Sequence, residues 1–314
     1  MAMLALAAAA FPGQVIAATV DHGLRAESAD EAALVARCCA QLGVPHATLP
    51  ITEPPGATGN LHSWARQQRY SLLYRWCIVE RATCLATAHH ADDQAETFLM
   101  RAARGSGVAG LAAVRARREI AVPSEDQRDH ATGDTSSGVE DAPLLLLRPL
   151  LGWRRAALRQ VAIAAGLPFV DDPSNTADRF DRARFRRWVE SADWIDPLKI
   201  AHAAAHVAEA EADLAAVGRW LWSERARPSP PGEARIAVAG LPREVRRRLV
   251  RLAIESVRGA NRIGGHWAPA ANVESLLDAL EAGTGATQAG VMASAAGDIW
   301  HFREAPPRRS HSLA

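Results

Sequence analysis

Lysine is almost absent from this chain. Lys199 is its only one, so 35 of the 36 basic residues are arginine. So strong a bias toward Arg and Ala reflects base composition as readily as selection for a basic surface. The basic stretches therefore fit a nucleic-acid face and a plain compositional drift equally well. Cysteine is also scarce. Cys38, Cys39, Cys77 and Cys84 form neither a C-x-x-C pair nor a metal-ligand spacing, which speaks against a cysteine zinc site and reads as reduced thiols in apolar positions. No apolar run approaches the roughly 20 residues needed to cross a bilayer, so no membrane role is expected. Met1–Phe11 is apolar but lacks the basic flank of a secretory signal. Pro12-Gly13 and the following Val15–Val20 read as a helix end, a turn and a strand. A cytoplasmic protein is expected.

What is present is a pattern of alternation. Strand-like runs at Val15–Val20, Val44–Ile51, Thr83–Ala88 and Leu144–Leu147 alternate with helical segments at Ser28–Leu42, from Asn60 to about Arg81, at Asp92–Ala103 and at Trp153–Ala165. That order implies an α/β fold with a parallel, doubly wound sheet. Residues 123–143 are rich in Ser, Asp, Gly, Glu and Thr and read as a flexible surface insertion. After about Trp194 the strand signals fade, and helices are expected at Lys199–Trp222 and Arg243–Val257. The organisation expected is a catalytic domain over 1–193, a small helical domain over 194–258 and a tail over 259–314. The tail holds a helix near Ala271–Ala282 and a strand near Ile299–Phe302. Net charge is only +1, but nine Arg against four Asp between Arg148 and Arg187, and nine Arg against three Glu between Arg219 and Arg251, make two basic stretches that can match phosphates.

In a doubly wound sheet, ligands bind beyond the carboxyl ends of strands. Three clusters fall there. Val20-Asp21-His22-Gly23-Leu24-Arg25 follows a strand, with His22 and Arg25 facing a nucleotide or merely closing the strand. Ala88-His89-His90-Ala91-Asp92-Asp93-Gln94-Ala95-Glu96-Thr97 joins a strand to a helix. One carboxylate suffices to cap that helix. Two His, two Asp and a Glu within eight positions point further, to charge-handling chemistry or Mg²⁺ coordination. Adjacent His89 and His90 point apart, which disfavours zinc. Arg104-Gly105-Ser106-Gly107 suits either an anion-holding turn or a helix stop. On the long helix, Arg66 and Tyr70 share a face with Arg69 beside them. Asp171-Asp172-Pro173-Ser174-Asn175 reads as a turn, and Arg182, Arg184, Arg186 and Arg187 open the next helix, a placement that favours a nearby anion.

Taken in order, Val-Asp-His-Gly-Leu-Arg, Asn-Leu-His with Ala-Arg-x-x-Arg-Tyr, Ala-His-His-x-Asp-Asp-Gln-x-Glu-Thr, Arg-Gly-Ser-Gly, Leu-Arg-Pro-Leu-Leu and Asp-Asp-Pro-Ser-Asn resemble the tRNA(Ile)-lysidine synthase family of PP-loop ATP pyrophosphatases. They span roughly residues 15–190. The resemblance implies ATP-dependent ligation of L-lysine to C2 of the wobble cytidine in tRNA(Ile) with a CAU anticodon, through an adenylated tRNA, with ATP and Mg²⁺ as cofactors. It implies Asp93, His89 and Arg104 as catalytic residues, and Asp93 as the group orienting cytidine or the lysine amine. It places His22 near the nucleotide, with His89, Asp92, Arg66, Arg69, Gly105, Ser106 and Gly107 binding it and Asp92 a metal ligand. It gives tRNA contacts to Asn175, Arg182, Arg184 and Arg186.

The chain departs from the family pattern in one large respect. The Ser-Gly-Gly-x-Asp-Ser phosphate loop is missing, and Met1–Leu6 looks like the helix just beyond it. The expectation is an N-terminally truncated sheet lacking its first, central strand. That would leave unpaired backbone groups, costing about 1–3 kcal/mol each, and would make the chain inactive as written. A misplaced start, with the loop encoded in frame upstream, is the expected cause. Smaller departures are Ala183, where the family often has Asn, and Thr287-Gln288-Ala289-Gly290, a loose fit to its Thr-Leu-Gly-Gly. Two other readings stand beside the first: a catalytically dead RNA-binding remnant using Arg182 and Arg246–Arg248, and another PP-loop amide- or amine-forming ligase.

Overall fold

A computed structural model describes residues 1–23, 27–52, 61–120, 143–169, 181–192, 194–265, 267–268 and 271–306. Arg25, Asn60, Asn175, the side chain of Arg182 and the expected insertion up to residue 142 lie outside them. The chain forms two compact units. The first comprises Met1–Ser106 and Ala113–Ala205, the second Gly107–Ala112 and His206–Ala314.

The first unit runs α1 (Ala2–Ala10), β1 (Ala17–Asp21), α2 (Ser28–Gln41), β2 (His46–Pro50), α3 (Leu61–Val79), β3 (Cys84–Ala86) and α4 (Ala91–Ala103). After the short α5 (Val108–Leu111) of the second unit come β4 (Arg117–Ile120), β5 (Leu144–Leu147), α6 (Arg155–Ala164) and α7 (Asp181–Ser191). β1 and β2 pair in parallel, Ala17 opposite His46. β3 and β5 pair in parallel, Cys84 opposite Leu145, and β4 lies antiparallel on the far side of β5. Among the described residues the strands thus form a pair and a triple, in the orders β1-β2 and β3-β5-β4. In each grouping a parallel strand, β1 or β3, stands at the edge. One core serves both. Leu73, Tyr74 and Cys77 of α3 pack with Leu85 and with Leu144 and Leu146 of β5, and Ala18, Val20 and Leu49 join them. The four-leucine run of β5 reads as a strand covered on both faces. α1 packs on α6 through Ala2, Leu158 and Ala162, with Leu150 beside them.

The second unit takes in the latter part of α8 (Pro197–Arg225), then β6 (Ala226–Arg227), β7 (Ala234–Ala237), α9 (Arg243–Ala260), α10 (Glu274–Glu281), β8 (Gly285–Gln288), β9 (Val291–Ala296) and β10 (Ile299–Glu304). This corrects the expectation of a helical domain followed by a tail. The last 55 or so residues supply three strands of a five-stranded antiparallel sheet, ordered β6-β7-β10-β9-β8. Trp300 and Phe302 of β10 pack with Leu249, Ile254 and Val257 of α9 and Leu276, Leu277 and Leu280 of α10 in one core. β8 and β9 carry little strand signal because Gly285, Ala286, Ala293, Ala295 and Ala296 have weak strand preference. Their pairing comes from the Ala289-Gly290 turn, both residues at positive φ, the geometry of a two-residue hairpin.

Four of the nine arginines of the second basic stretch are paired with carboxylates within this unit. Arg243 pairs with Glu274 at 3.1 Å and Asp278 at 2.5 Å, and also with Glu281. Arg247 pairs with Glu274 at 2.5 Å and with Glu244. Arg248 makes a bidentate bond to the buried Glu211, at 3.0 and 2.5 Å. Arg246 reaches Glu281 at 3.4 Å. The stretch looked strongly basic because its carboxylate partners come from α8 and α10, distant in sequence. Among the described residues no helix is long and apolar enough to cross a membrane.

Candidate active site

The carboxyl ends of β1 and β3 open toward α3. A cleft of about 260 Å³ lies there, lined by Arg66, Arg69, Tyr70, Leu73, Thr87, Ala88, His89 and Asp93. The α3 residues sit at spacings of three and four, so one stripe of the helix faces the cleft. The Arg66 guanidinium lies over the Tyr70 ring, 5.0 Å from its centroid. Arg69 is exposed by surface area and donates to Nε2 of His22 through Nη2 at 2.9 Å and Nε at 3.3 Å. Burial lowers the Arg69 pKa, and the charge of Arg66 lowers it further against an opposing effect of Tyr70. Two guanidinium groups turned to one cleft favour an anionic occupant.

The β3–α4 junction separates its adjacent side chains as the sequence suggests. His89 lines the cleft, its Nδ1 3.1 Å from the Thr87 hydroxyl. His90 is the N-cap of α4. Its backbone N–H donates to Asp93 Oδ2 at 3.1 Å, and the Asp93 N–H donates to His90 Nδ1 at 3.4 Å, a reciprocal capping box. Asp93 therefore closes the helix start and lines the cleft with the same carboxylate.

Asp92 serves elsewhere. The Arg155 N–H donates to its Oδ2 at 2.7 Å and Arg154 Nε to its Oδ1 at 3.2 Å. α6 has no cap from its own N-cap side chain, and Asp92 supplies one from another helix. Burial would raise the Asp92 pKa, but hydrogen bonds from His90 and the Arg155 N–H, with the charge of Arg154, hold it at about 2. Each Asp92 oxygen thus accepts a bond at the start of α6, an engagement that the sequence does not show. Among the described residues no three His, Cys, Asp or Glu cluster to hold a metal.

The turn after α4 is corrected as well. Gly105 N–H donates to the Ala102 carbonyl at 3.0 Å and Ser106 N–H to the Arg101 carbonyl at 3.0 Å, with Gly105 at φ +67. This double bond is a helix C-cap that needs glycine at the left-handed position. The two N–H groups are consumed by the helix and not presented to an anion. Gly107 N-caps α5. Arg104, expected to be catalytic, caps the far end of α4, about 16 Å along the axis from Asp93. Arg186, expected on tRNA, instead pairs with Glu96 at 2.6 and 3.4 Å. Glu96 is only 2% exposed, so its charge needs that partner. Arg184 is exposed on α7.

Comparison with known proteins places this geometry. The PP-loop domain family matches residues 1–192. A tRNA(Ile)-lysidine synthase of Zymomonas mobilis is 39% identical over the whole of this chain and 87% of its own length. One of Novosphingobium aromaticivorans is 37% identical over 99% of this chain and 87% of its own. The chain belongs to the tRNA(Ile)-lysidine synthase family. Among solved structures, the U34-tRNA thiolase NcsA from Methanococcus maripaludis with its [4Fe-4S] cluster aligns with 68% of each chain at a TM-score of 0.50 and 15% identity. That likeness is one of fold.

This lysidine synthase family member also uses residues that the sequence reading passed over. Gln94 is buried and clamps Val114, its amide donating to the Val114 carbonyl at 2.9 Å and accepting from its N–H at 2.8 Å. Arg101 donates to the Ala113 carbonyl at 3.1 Å. Glu96 and Gln94 stand in the same motif as Asp93, so their presence was visible, but their partners, 90 and 20 residues away, were not.

Proposed function

We propose that this chain makes lysidine: it ligates L-lysine to C2 of the wobble cytidine of tRNA(Ile) with a CAU anticodon at the expense of ATP. The observation that carries the reading is the cleft, where Arg66, Arg69, His89 and Asp93, drawn from two motifs far apart in sequence, line one space just beyond β3. In the reaction the cytidine O2 attacks the α-phosphorus of ATP and releases pyrophosphate. The neutral ε-amine of lysine then adds at C2, and AMP departs carrying O2. A carbonyl oxygen is a poor leaving group and AMP a good one, which is why activation precedes amination. Arg66 and Arg69 supply fixed positive charge for phosphate oxygens. Asp93 is the carboxylate placed to orient the amine and take its proton, and His89 borders it. Among the described residues lining the cleft Asp93 is the one carboxylate, and Mg²⁺ would be held there chiefly by substrate phosphates. There the ion would screen pyrophosphate charge. The cytoplasm is the compartment we assign.

No Ser-Gly-Gly-x-Asp-Ser run occurs in these 314 residues. The assay therefore compares residues 1–314 with the same residues joined to that run. The test incubates both forms with ATP, labelled lysine and a CAU-anticodon tRNA(Ile) transcript. Label at C34 with either form, and none on a transcript with U34, supports the reading. Neither form labelling a tRNA that it binds contradicts it.

A further inference from the structure

The outward stripe of α7 is unlike an ordinary solvated face. Arg184, Arg187, Trp188 and Ser191 recur at i, i+3, i+4 and i+7, and all four are exposed. Phe185, Arg186 and Val189 take the inner side, where Arg186 is bound to Glu96 of α4. Trp188 is 45% exposed, and Trp194, just beyond the helix, is 79% exposed. The two indoles meet edge to face, centroids 6.2 Å apart at 78°. Phe185 braces Trp188 from within in the same manner, at 6.2 Å and 83°. The Ser191 hydroxyl donates to the Trp188 carbonyl at 3.0 Å and fixes the end of the helix.

Large aromatic rings left in water cost free energy unless something covers them. Here the rings are pre-set by one another, so ordering them on binding costs little conformational entropy. Two arginines on the same stripe set the charge of the partner. Aromatic faces interleaved with arginine are the chemistry that holds single-stranded nucleic acid: bases stack on the rings, and phosphates meet the guanidinium groups.

We infer that Trp188 and Trp194 form a stacking platform for unpaired nucleobases of the RNA substrate, with Arg184 and Arg187 holding the adjoining phosphates. The platform rests on the proposed tRNA reading. The Arg186–Glu96 pair ties its helix to α4, whose Asp93 lines the cleft. An RNA loop lying on α7 is thereby registered against the reacting centre.

The test measures the Kd of the full chain for a 17-nucleotide CAU anticodon stem-loop and for the same stem closed without its loop. Stacking contributes about 1–3 kcal/mol per base, so Trp194→Ala should weaken loop binding by about 5- to 100-fold. Trp194→Phe should retain most of the affinity, and the loopless stem should not respond. Wild-type tryptophan fluorescence should be quenched by the loop, less so in Trp194→Ala. Trp194 is so exposed that its replacement leaves the fold intact, which a melting curve verifies. Unchanged loop affinity in Trp194→Ala and in the Trp188→Ala/Trp194→Ala double variant overturns the platform. A change of oligomeric state with unchanged RNA affinity overturns it too, in favour of a second copy. If lysine incorporation fails while Trp194→Ala still loses loop binding, the enzymatic reading falls and the platform stands.

Discussion

Arg69 donates two hydrogen bonds to a single acceptor, Nε2 of His22, at 2.9 and 3.3 Å. An acceptor lone pair requires a neutral imidazole with its proton on Nδ1. Burial lowers the His22 pKa, the charge of Arg69 lowers it further, and Asp21 opposes both. The folded pKa therefore lies below the unfolded one. The neutral form's contribution is complete above the ordinary histidine range, near 6.5, and is lost as pH falls below it. Wild type should lose urea resistance between pH 7.5 and 5.5 faster than His22→Gln, which keeps an acceptor and does not titrate. Parallel pH dependences would contradict the pairing.

Asp92 acts as the cap of α6. Asp92→Ala should lower stability by about 1 kcal/mol, a typical cost for a lost cap, measured as a fall in Tm. The sign of its pH dependence follows from a folded pKa of about 2 against an ordinary value of 3.8. The contribution is present above pH 3.8 and disappears as pH falls toward 2. RNA affinity should stay within about twofold, since Asp92 is not among the described residues that line the cleft.

The Arg186–Glu96 pair is nearly dry. Arg186→Ala strands a carboxylate that is 2% exposed and should cost about 3–5 kcal/mol in urea titration. The Glu96→Met/Arg186→Leu double variant should recover most of that loss. A single variant as stable as wild type would refute the buried pair.

The arginines of α9 are structural. Arg246→Ala/Arg247→Ala should lower Tm and leave tRNA affinity within about twofold, because both guanidinium groups already face carboxylates. A tenfold loss of tRNA affinity would instead make this face part of an RNA surface.

The first unit was largely legible in the sequence, and the second was not. The β1, β3 and α4 motifs could be placed because strand-to-helix junctions carry local signals: a β-branched run, a capping residue, an apolar period. The cleft followed, since Arg66, Arg69, His89 and Asp93 each flank such a junction or share a helix face. The partners of Asp92 and Arg186 were not legible, because a charged residue near a site looks the same whether it meets a ligand or a distant side chain. Only folding brings Asp92 to Arg155 and Arg186 to Glu96. β8 and β9 of the second unit are rich in Ala and Gly and have little intrinsic preference, whereas β10 was legible; Val291 and Ala293 of β9 pack into the core that α9 and α10 build.

The central claim is that Asp93 serves lysidine formation as well as the start of α4. Asp93→Asn separates the two, since an amide oxygen still accepts from the His90 N–H while the charge is gone. The measurement is labelled-lysine incorporation at C34 of CAU-anticodon tRNA(Ile), with the PP-loop run joined to residues 1–314. The account predicts incorporation by the parent protein and a loss of about 100-fold or more in Asp93→Asn, with Tm nearly unchanged. Incorporation by Asp93→Asn at the parent rate would contradict it.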